Sequence, residues 1–184
     1  SFVITSSAPG EGKTTVVTNL AISLAQSGAS VALVDADLRK PTVAKRMSVD
    51  GEIGLSSLLA GMVDLEDVIH RWGKDELFVL PAGRIPPNPS ELLGSREMQG
   101  LLAKLTEHFD YVIIDSPPVL AVTDAAVLSR FAGGTILVAA VGLARKNEVA
   151  AALEALDGIA NRISGVVVMR APSKGPDSYH YARY

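Results

Sequence analysis

The stretch Ala8-Pro9-Gly10-Glu11-Gly12-Lys13-Thr14-Thr15 constrains this chain more than any other part of it. It follows the short apolar run Phe2-Val-Ile-Thr, and a periodic pattern of Val16, Val17, Leu20, Ala21 and Leu24 comes after it. The order is therefore strand, glycine-rich turn, helix. In such a turn, successive backbone N–H groups curl around an anion at a helix N-terminus, where the helix dipole adds attraction. Gly10 and Gly12 permit the close approach.

By this reading the turn is a P-loop and the cofactors are ATP and Mg²⁺. Ala8, Pro9, Gly10, Glu11, Gly12, Lys13, Thr14 and Thr15 are the expected nucleotide contacts. Lys13 reaches the β- and γ-phosphates, Thr14 offers its hydroxyl to Mg²⁺, and Thr15 stands by the α-phosphate. Two residues depart from a plain cradle. Ser7 occupies the place, five before Gly12, where the usual pattern has glycine, and the Glu11 carboxylate has to point away from phosphate.

The rest of the chain alternates β-branched runs with helical patterns, the signature of a doubly wound, mainly parallel α/β sheet flanked by helices. Strands are expected at Phe2–Thr5, Val31–Asp35, Leu77–Pro81, Tyr111–Asp115, Thr135–Val141 and Gly165–Arg170. Helices are expected at Lys13–Ser27, Arg96–Glu107, Asp124–Phe131 and Lys146–Ile159. Residues 36–76 read as irregular with short helical pieces, and the proline-dense stretch 84–95 as a shaped loop followed by one helical turn. Tyr111, at the start of an apolar strand, reads as core.

Two strand ends carry carboxylates. Val112-Ile-Ile-Asp115 ends before Ser116-Pro-Pro, which puts Asp115 at the carboxyl edge of the sheet, where ligands bind in open α/β folds. Asp115 is the expected Mg²⁺ partner of Thr14. Val31-Ala-Leu-Val-Asp35-Ala-Asp37 places a second pair just past another strand; in extended chain, residues two apart point the same way, so both could face one site.

At 184 residues the chain fits one domain, read here as 1–170, followed by a flexible tail, 171–184. A net charge of −3 argues against nucleic-acid binding, and the absence of cysteine excludes disulfides and thiolate chemistry. The longest apolar runs, such as 135–143, fall well short of the roughly 20 residues a spanning helix needs. His70, His108 and His180 lack the spacing of a metal site. The opening Ser1, leading straight into a strand pattern, suggests a segment of a longer protein with no signal peptide.

Four segments together resemble the bacterial tyrosine kinases, the cytoplasmic kinase domains of capsule and exopolysaccharide export systems. These are Thr5-Ser-Ser-Ala-Pro-Gly-Glu-Gly-Lys-Thr-Thr, Val34-Asp-Ala-Asp-Leu-Arg-Lys-Pro41, Pro86-Pro-Asn-Pro-Ser-Glu-Leu-Leu93 and Ile114-Asp-Ser-Pro-Pro118. The resemblance implies a catalytic group of Lys13, Asp35 and Asp37, with Asp35 the base for an acceptor tyrosine and Asp37 and Asp115 holding the metal with Thr14. It further implies phosphorylation of Tyr179, Tyr181 and Tyr184 in trans within a homo-oligomer, and a membrane activator, protein or region, outside this chain. The location implied is the inner face of the cell membrane.

Where related sites carry Asn to read adenine, this sequence has Met169, which leaves adenine recognition to Arg170 or backbone groups. The arginine-rich oligomerising helix that precedes the first strand in the family is not in this sequence. Two rival readings remain at this point. A Min/Par-type ATPase would carry a lysine at the loop's start, where Ala8 stands, and an ATP-gated assembly regulator would keep the nucleotide site without phosphorylating tyrosine.

Overall fold

A computed structural model describes residues 1–157 and 163–172. Seven strands form one sheet: β1 (Phe2–Ser6), β2 (Val31–Asp35), β3 (His70–Trp72), β4 (Leu77–Leu80), β5 (Tyr111–Asp115), β6 (Gly134–Ala140) and β7 (Ile163–Met169). Their order is β3-β4-β2-β5-β1-β6-β7, and every pairing is parallel except β3 with β4. The six expected strands are present within one or two residues. The seventh, β3, is three residues of His-Arg-Trp on an edge, too short and too polar to announce itself by periodicity.

The helices are α1 (Lys13–Gln26), α2 (Val43–Met47), α3 (Leu55–Leu59), α4 (Leu65–Val68), α5 (Pro89–Leu93), α6 (Arg96–His108), α7 (Asp124–Ser129) and α8 (Lys146–Asp157). The short pieces expected in 36–76 are α2 to α4, whereas the helical turn expected to follow the 84–95 loop lies within it as α5, starting on Pro89. Proline at the first position of α5 suits its start, since that N–H has no intrahelical partner in any case. The α1 stripe is narrower than the sequence suggests. Val17, Thr18, Ala21 and Ala25 face the sheet fully, while Val16, Leu20 and Leu24 lie at its half-covered margins.

Tyr111 is a correction. It is 37% exposed, because it is the first residue of β5, at the amino edge of the sheet beside the solvent-facing contact of Asp110 with Ser30. The core lies on both faces of the sheet. One cluster, including Val34, Ile114, Leu102 and Leu105, packs under α6; the other, including Ile4, Leu33, Ile113 and Val17, packs under α1. Strands buried on both sides explain why they read as continuous apolar runs.

Register fixes the site. Ile4 of β1 lies opposite Asp115 of β5, and Asp115 lies opposite Asp35 of β2. Three neighbouring strands thus deliver the phosphate loop, Asp115 and Asp35 to one carboxyl edge. The chain from β1 leaves toward β2 while the chain from β5 crosses to β6, so this edge is also where the winding reverses.

Candidate functional site

The loop between β1 and α1 is held by its own side chains. Gly10 and Gly12 have φ of 84° and 92°, the left-handed region that glycine occupies without strain. Space alone does not demand glycine at position 12, since a Cβ there would meet Met169 Cε at an ordinary 3.6 Å. Backbone conformation does. Glu11 is 1% exposed, turned beneath the loop as its charge requires. Its carboxylate accepts from the Ser7 hydroxyl at 2.8 and 3.0 Å and from the Ala8 N–H at 3.1 Å. Ser7 therefore replaces the missing glycine with a hydrogen bond across the loop, a pairing that motif matching could not show.

Lys13 stands between two carboxylates, with Nζ 3.5 Å from Asp37 Oδ2 and 3.6 Å from Asp115 Oδ1. Thr14 donates to Asp115 Oδ2 at 2.7 Å and accepts from the Thr42 hydroxyl at 3.1 Å. Asp115 Oδ1 is the one buried side-chain polar atom without a hydrogen-bond partner among the described residues. An orphaned anionic oxygen beside a threonine hydroxyl and a lysine fits a cation or its bound water.

Asp35 and Asp37 do not point alike. β2 ends at Asp35, whose Oδ1 accepts from the Asp37 N–H at 3.2 Å and whose Oδ2 accepts from the Val43 N–H at 3.0 Å. The chain turns over the first carboxylate, so the extended geometry needed for parallel side chains is lost. Asp35 is fully buried behind Thr42, whereas Asp37 lines a cleft of about 320 Å³ at the mouth of the loop. One wall of that cleft is apolar: Pro9, Pro117, Pro118, Ala121 and Val122. Lys13, Asp37, Arg39, Lys40 and Thr42 supply the polar side. The Pro-Pro wall is fixed to β1 by the Thr5 hydroxyl donating to the Pro117 carbonyl and by Val119 N–H donating to the Ser6 carbonyl.

Arg170 lies exposed after β7 with φ 56°, and the Met169 side chain rests over Gly12. Tyr179, Tyr181 and Tyr184 lie outside the described residues.

Comparison with known proteins agrees with this geometry. A family model described as an AAA domain matches residues 2–140. The tyrosine-protein kinase YwqD of Bacillus subtilis is 42% identical over 168 residues, covering 91% of this chain and 71% of that protein. The chain belongs to the bacterial tyrosine-protein kinase family. The solved kinase domain of the Escherichia coli tyrosine kinase ETK is 40% identical with a TM-score of 0.86, over 95% of this chain and 70% of that one. The Pyrococcus furiosus cell-division ATPase MinD is similar at 28% identity and a TM-score of 0.79, over 96% and 73% of the two chains. Nucleotide use is common to this P-loop fold.

Within this family member the carboxylates differ in proton affinity. Burial, with the Asp115 charge second, raises Asp35 from 3.8 to about 7, and the N–H bonds from Val43 and Asp37 only partly oppose it. Burial also raises Asp115, offset in part by Lys13 and by the Thr14 hydroxyl. Because the folded state holds the Asp35 proton more tightly than the unfolded chain does, its stabilising effect is full below the unfolded value of 3.8 and is lost as pH rises to about 7. In nucleotide- and metal-free protein, carboxyl ¹³C NMR is expected to titrate Asp35 with a midpoint of about 7; a midpoint near the ordinary aspartate value would contradict this account.

Sequence reasoning missed Thr42, Ser90 and Asp124 as site residues. Each is polar in a segment without periodicity or at a helix start, and what gathers them is tertiary structure. The Glu11 brace generates its own prediction. Glu11→Ala leaves the Ser7 hydroxyl and the Ala8 N–H unpaired, which costs about 1–3 kcal/mol, and should weaken ADP affinity about tenfold by isothermal titration. Glu11→Gln keeps an acceptor for Ser7 and should stay within about threefold, since a neutral hydrogen bond retains much of a charged one's geometry. Equal losses in the two variants would show that charge, not the cross-loop bond, is what matters.

Proposed function

We propose that this chain transfers the γ-phosphoryl group of Mg·ATP to tyrosines, with Tyr179, Tyr181 and Tyr184 of its own C-terminal segment as acceptors in trans within a homo-oligomer. The observation that carries the reading is the apolar-walled cleft opening on Lys13 and Asp37. A tyrosine ring buries its faces against Pro9, Pro117, Pro118, Ala121 and Val122 while its hydroxyl meets the charged end. A serine side chain is too short to cover that wall.

In this reading the Gly10 to Thr15 backbone and the α1 N-terminus hold the phosphates, and Lys13 leaves its carboxylates for the β- and γ-oxygens. Thr14 and Asp115 would hold Mg²⁺, with Asp37 orienting its waters. No three acidic or imidazole side chains among the described residues form a cage by themselves. That suits an ion which takes one or two protein oxygens and keeps phosphates and water as its other ligands. When bound, Mg²⁺ neutralises charge developing on the transferred phosphoryl group.

Asp35, with proton affinity near neutrality, is the base: it takes the tyrosine proton as the phenolic oxygen bonds to the γ-phosphorus and ADP leaves. Asp35 lies one layer behind the cleft, so this role requires the Thr42–Val43 segment to release its hold on Oδ2. In this reading Arg170, which follows the Met169 whose side chain rests over Gly12, would contribute with backbone groups to holding the adenine.

Among the described residues no helix is long and apolar enough to cross a membrane. We place the domain at the inner face of the cell membrane, held and activated by a partner or a region outside this chain and regulating capsular or exopolysaccharide synthesis and export. Phosphate on several tail tyrosines would add like charge and loosen the assembly.

The test is incubation of the full-length, activator-supplied protein with Mg·ATP, followed by phosphotyrosine mass spectrometry. The parent is expected to label within the tail, with Lys13→Met and Asp35→Asn reduced by at least about a hundredfold, the scale of losing a transition-state charge or a general base. ADP formed without phosphotyrosine would overturn the kinase reading in favour of a Min/Par-type ATPase. No turnover by a protein that still binds ATP would favour an assembly regulator.

A further inference from the structure

Asp124 opens α7 and is fully buried, an unfavourable place for a carboxylate unless its oxygens are used. Both are used. Arg39 donates from Nε to Oδ2 at 2.8 Å and from Nη2 to Oδ1 at 3.1 Å, a two-pronged contact. The Ser90 hydroxyl donates to Oδ1 at 2.6 Å and accepts from Arg39 Nη2 at 3.0 Å. Asp124 raises the proton affinity of Arg39, so the guanidinium stays charged throughout. This three-residue knot joins segments far apart in sequence: the turn after β2, the proline-rich segment entering α5, and the start of α7.

Its position relative to the cleft gives it a use. Asp37, Arg39, Lys40 and Thr42 form the polar wall, and Ala121 and Val122, three and two residues before Asp124, form part of the apolar wall. The polar wall is also pinned by Leu38, fully buried in the core, and by Lys40 N–H donating to Asp37 Oδ1 at 3.0 Å. Among these ties, the Arg39–Asp124 pair is the one that crosses from wall to wall.

We propose that Asp124, acting through Arg39 and supported by Ser90, is a positioning residue that sets the width of the acceptor cleft and so its fit to an aromatic ring. The inference rests on the cleft being the acceptor site. It also gives the proline-rich segment a role, since Ser90 holds the bridging carboxylate and guanidinium in register. A bidentate arginine–carboxylate contact has the geometric specificity such a spacer needs, and lysine cannot reproduce it.

The test uses the full-length, activator-supplied protein, Mg·ATP and a free peptide with the sequence of residues 173–184. Asp124→Asn and Arg39→Lys should each raise KM for the peptide about tenfold, the usual scale for losing a charge-assisted pair, while the dissociation constant for ADP moves less than about twofold. Their double variant should be no worse than either single, because both remove one contact. Ser90→Thr, which keeps the hydroxyl, should behave as the parent, and Ser90→Ala should share part of the loss. An unchanged peptide KM, or equal weakening toward peptide and ADP, would overturn the proposal while leaving the kinase reading intact.

Amide hydrogen exchange gives an answer independent of turnover. In Asp124→Asn, segments 37–42 and 117–122 should exchange about tenfold faster while the 8–15 loop is unchanged, as expected for losing a local tie rather than global stability. Uniform acceleration over the whole domain, or none, would contradict the cleft-spacing role. Absence of phosphotyrosine in the parent would instead defeat the kinase reading and with it the acceptor role of the cleft.

Discussion

The arrangement depends on one imbalance of charge. Asp35, Asp37 and Asp115 are brought together at the carboxyl ends of neighbouring strands, and Lys13 is the cation placed between the last two. All three carboxylates are buried or nearly so. Carboxylates removed from water need compensation, and a lysine at 3.5 Å and 3.6 Å gives only part of it. The raised proton affinities of Asp35 and Asp115 and the unpartnered Asp115 Oδ1 are consequences of that shortfall. Such a site favours added positive charge, which a divalent cation beside Asp115 Oδ1 would supply next to the phosphate loop.

The sheet makes the imbalance durable. Parallel strands buried on both faces cannot slide without moving apolar side chains out of register, so the Asp35–Asp115 pairing is fixed by packing far from the site. The loops are fixed by polar contacts of their own. Glu11 braces the phosphate loop, Thr5 holds the Pro-Pro wall, and Asp124 ties that wall's continuation to the turn after β2. Each contact is local, yet together they hold the cleft on three sides. The Pyrococcus furiosus cell-division ATPase MinD shares this fold, so what the site does is decided by the residues placed on the sheet rather than by the sheet itself.

Much of this is legible in the sequence. Continuous apolar runs predict buried parallel strands, and Gly-x-Gly-Lys-Thr after a strand predicts the cradle. Asp115 at a strand end predicts a carboxylate facing the Thr14 hydroxyl, and the two meet at 2.7 Å. What cannot be read is as instructive. Spacing suggests that Asp35 and Asp37 act side by side, but Asp35 spends its oxygens on the turn that Asp37 begins. Ser7 reads as a defect in the motif because its bond to Glu11 runs across the loop, where no linear pattern records it. Ser90 and Asp124 stand in the first turns of α5 and α7, and no local pattern says that they share an arginine from a third segment. Tyr111 misleads because an apolar strand need not be covered from its first residue.

The most direct test of the charge account is the Mg²⁺ dependence of nucleotide binding. Titration of ADP into the parent, with and without Mg²⁺, is expected to show affinity raised by the ion, and Asp115→Asn should abolish that gain while still binding metal-free ADP through the loop. If Mg²⁺ improves ADP binding to Asp115→Asn as much as to the parent, the orphaned Asp115 oxygen is not the metal's anchor and the account of this site is wrong.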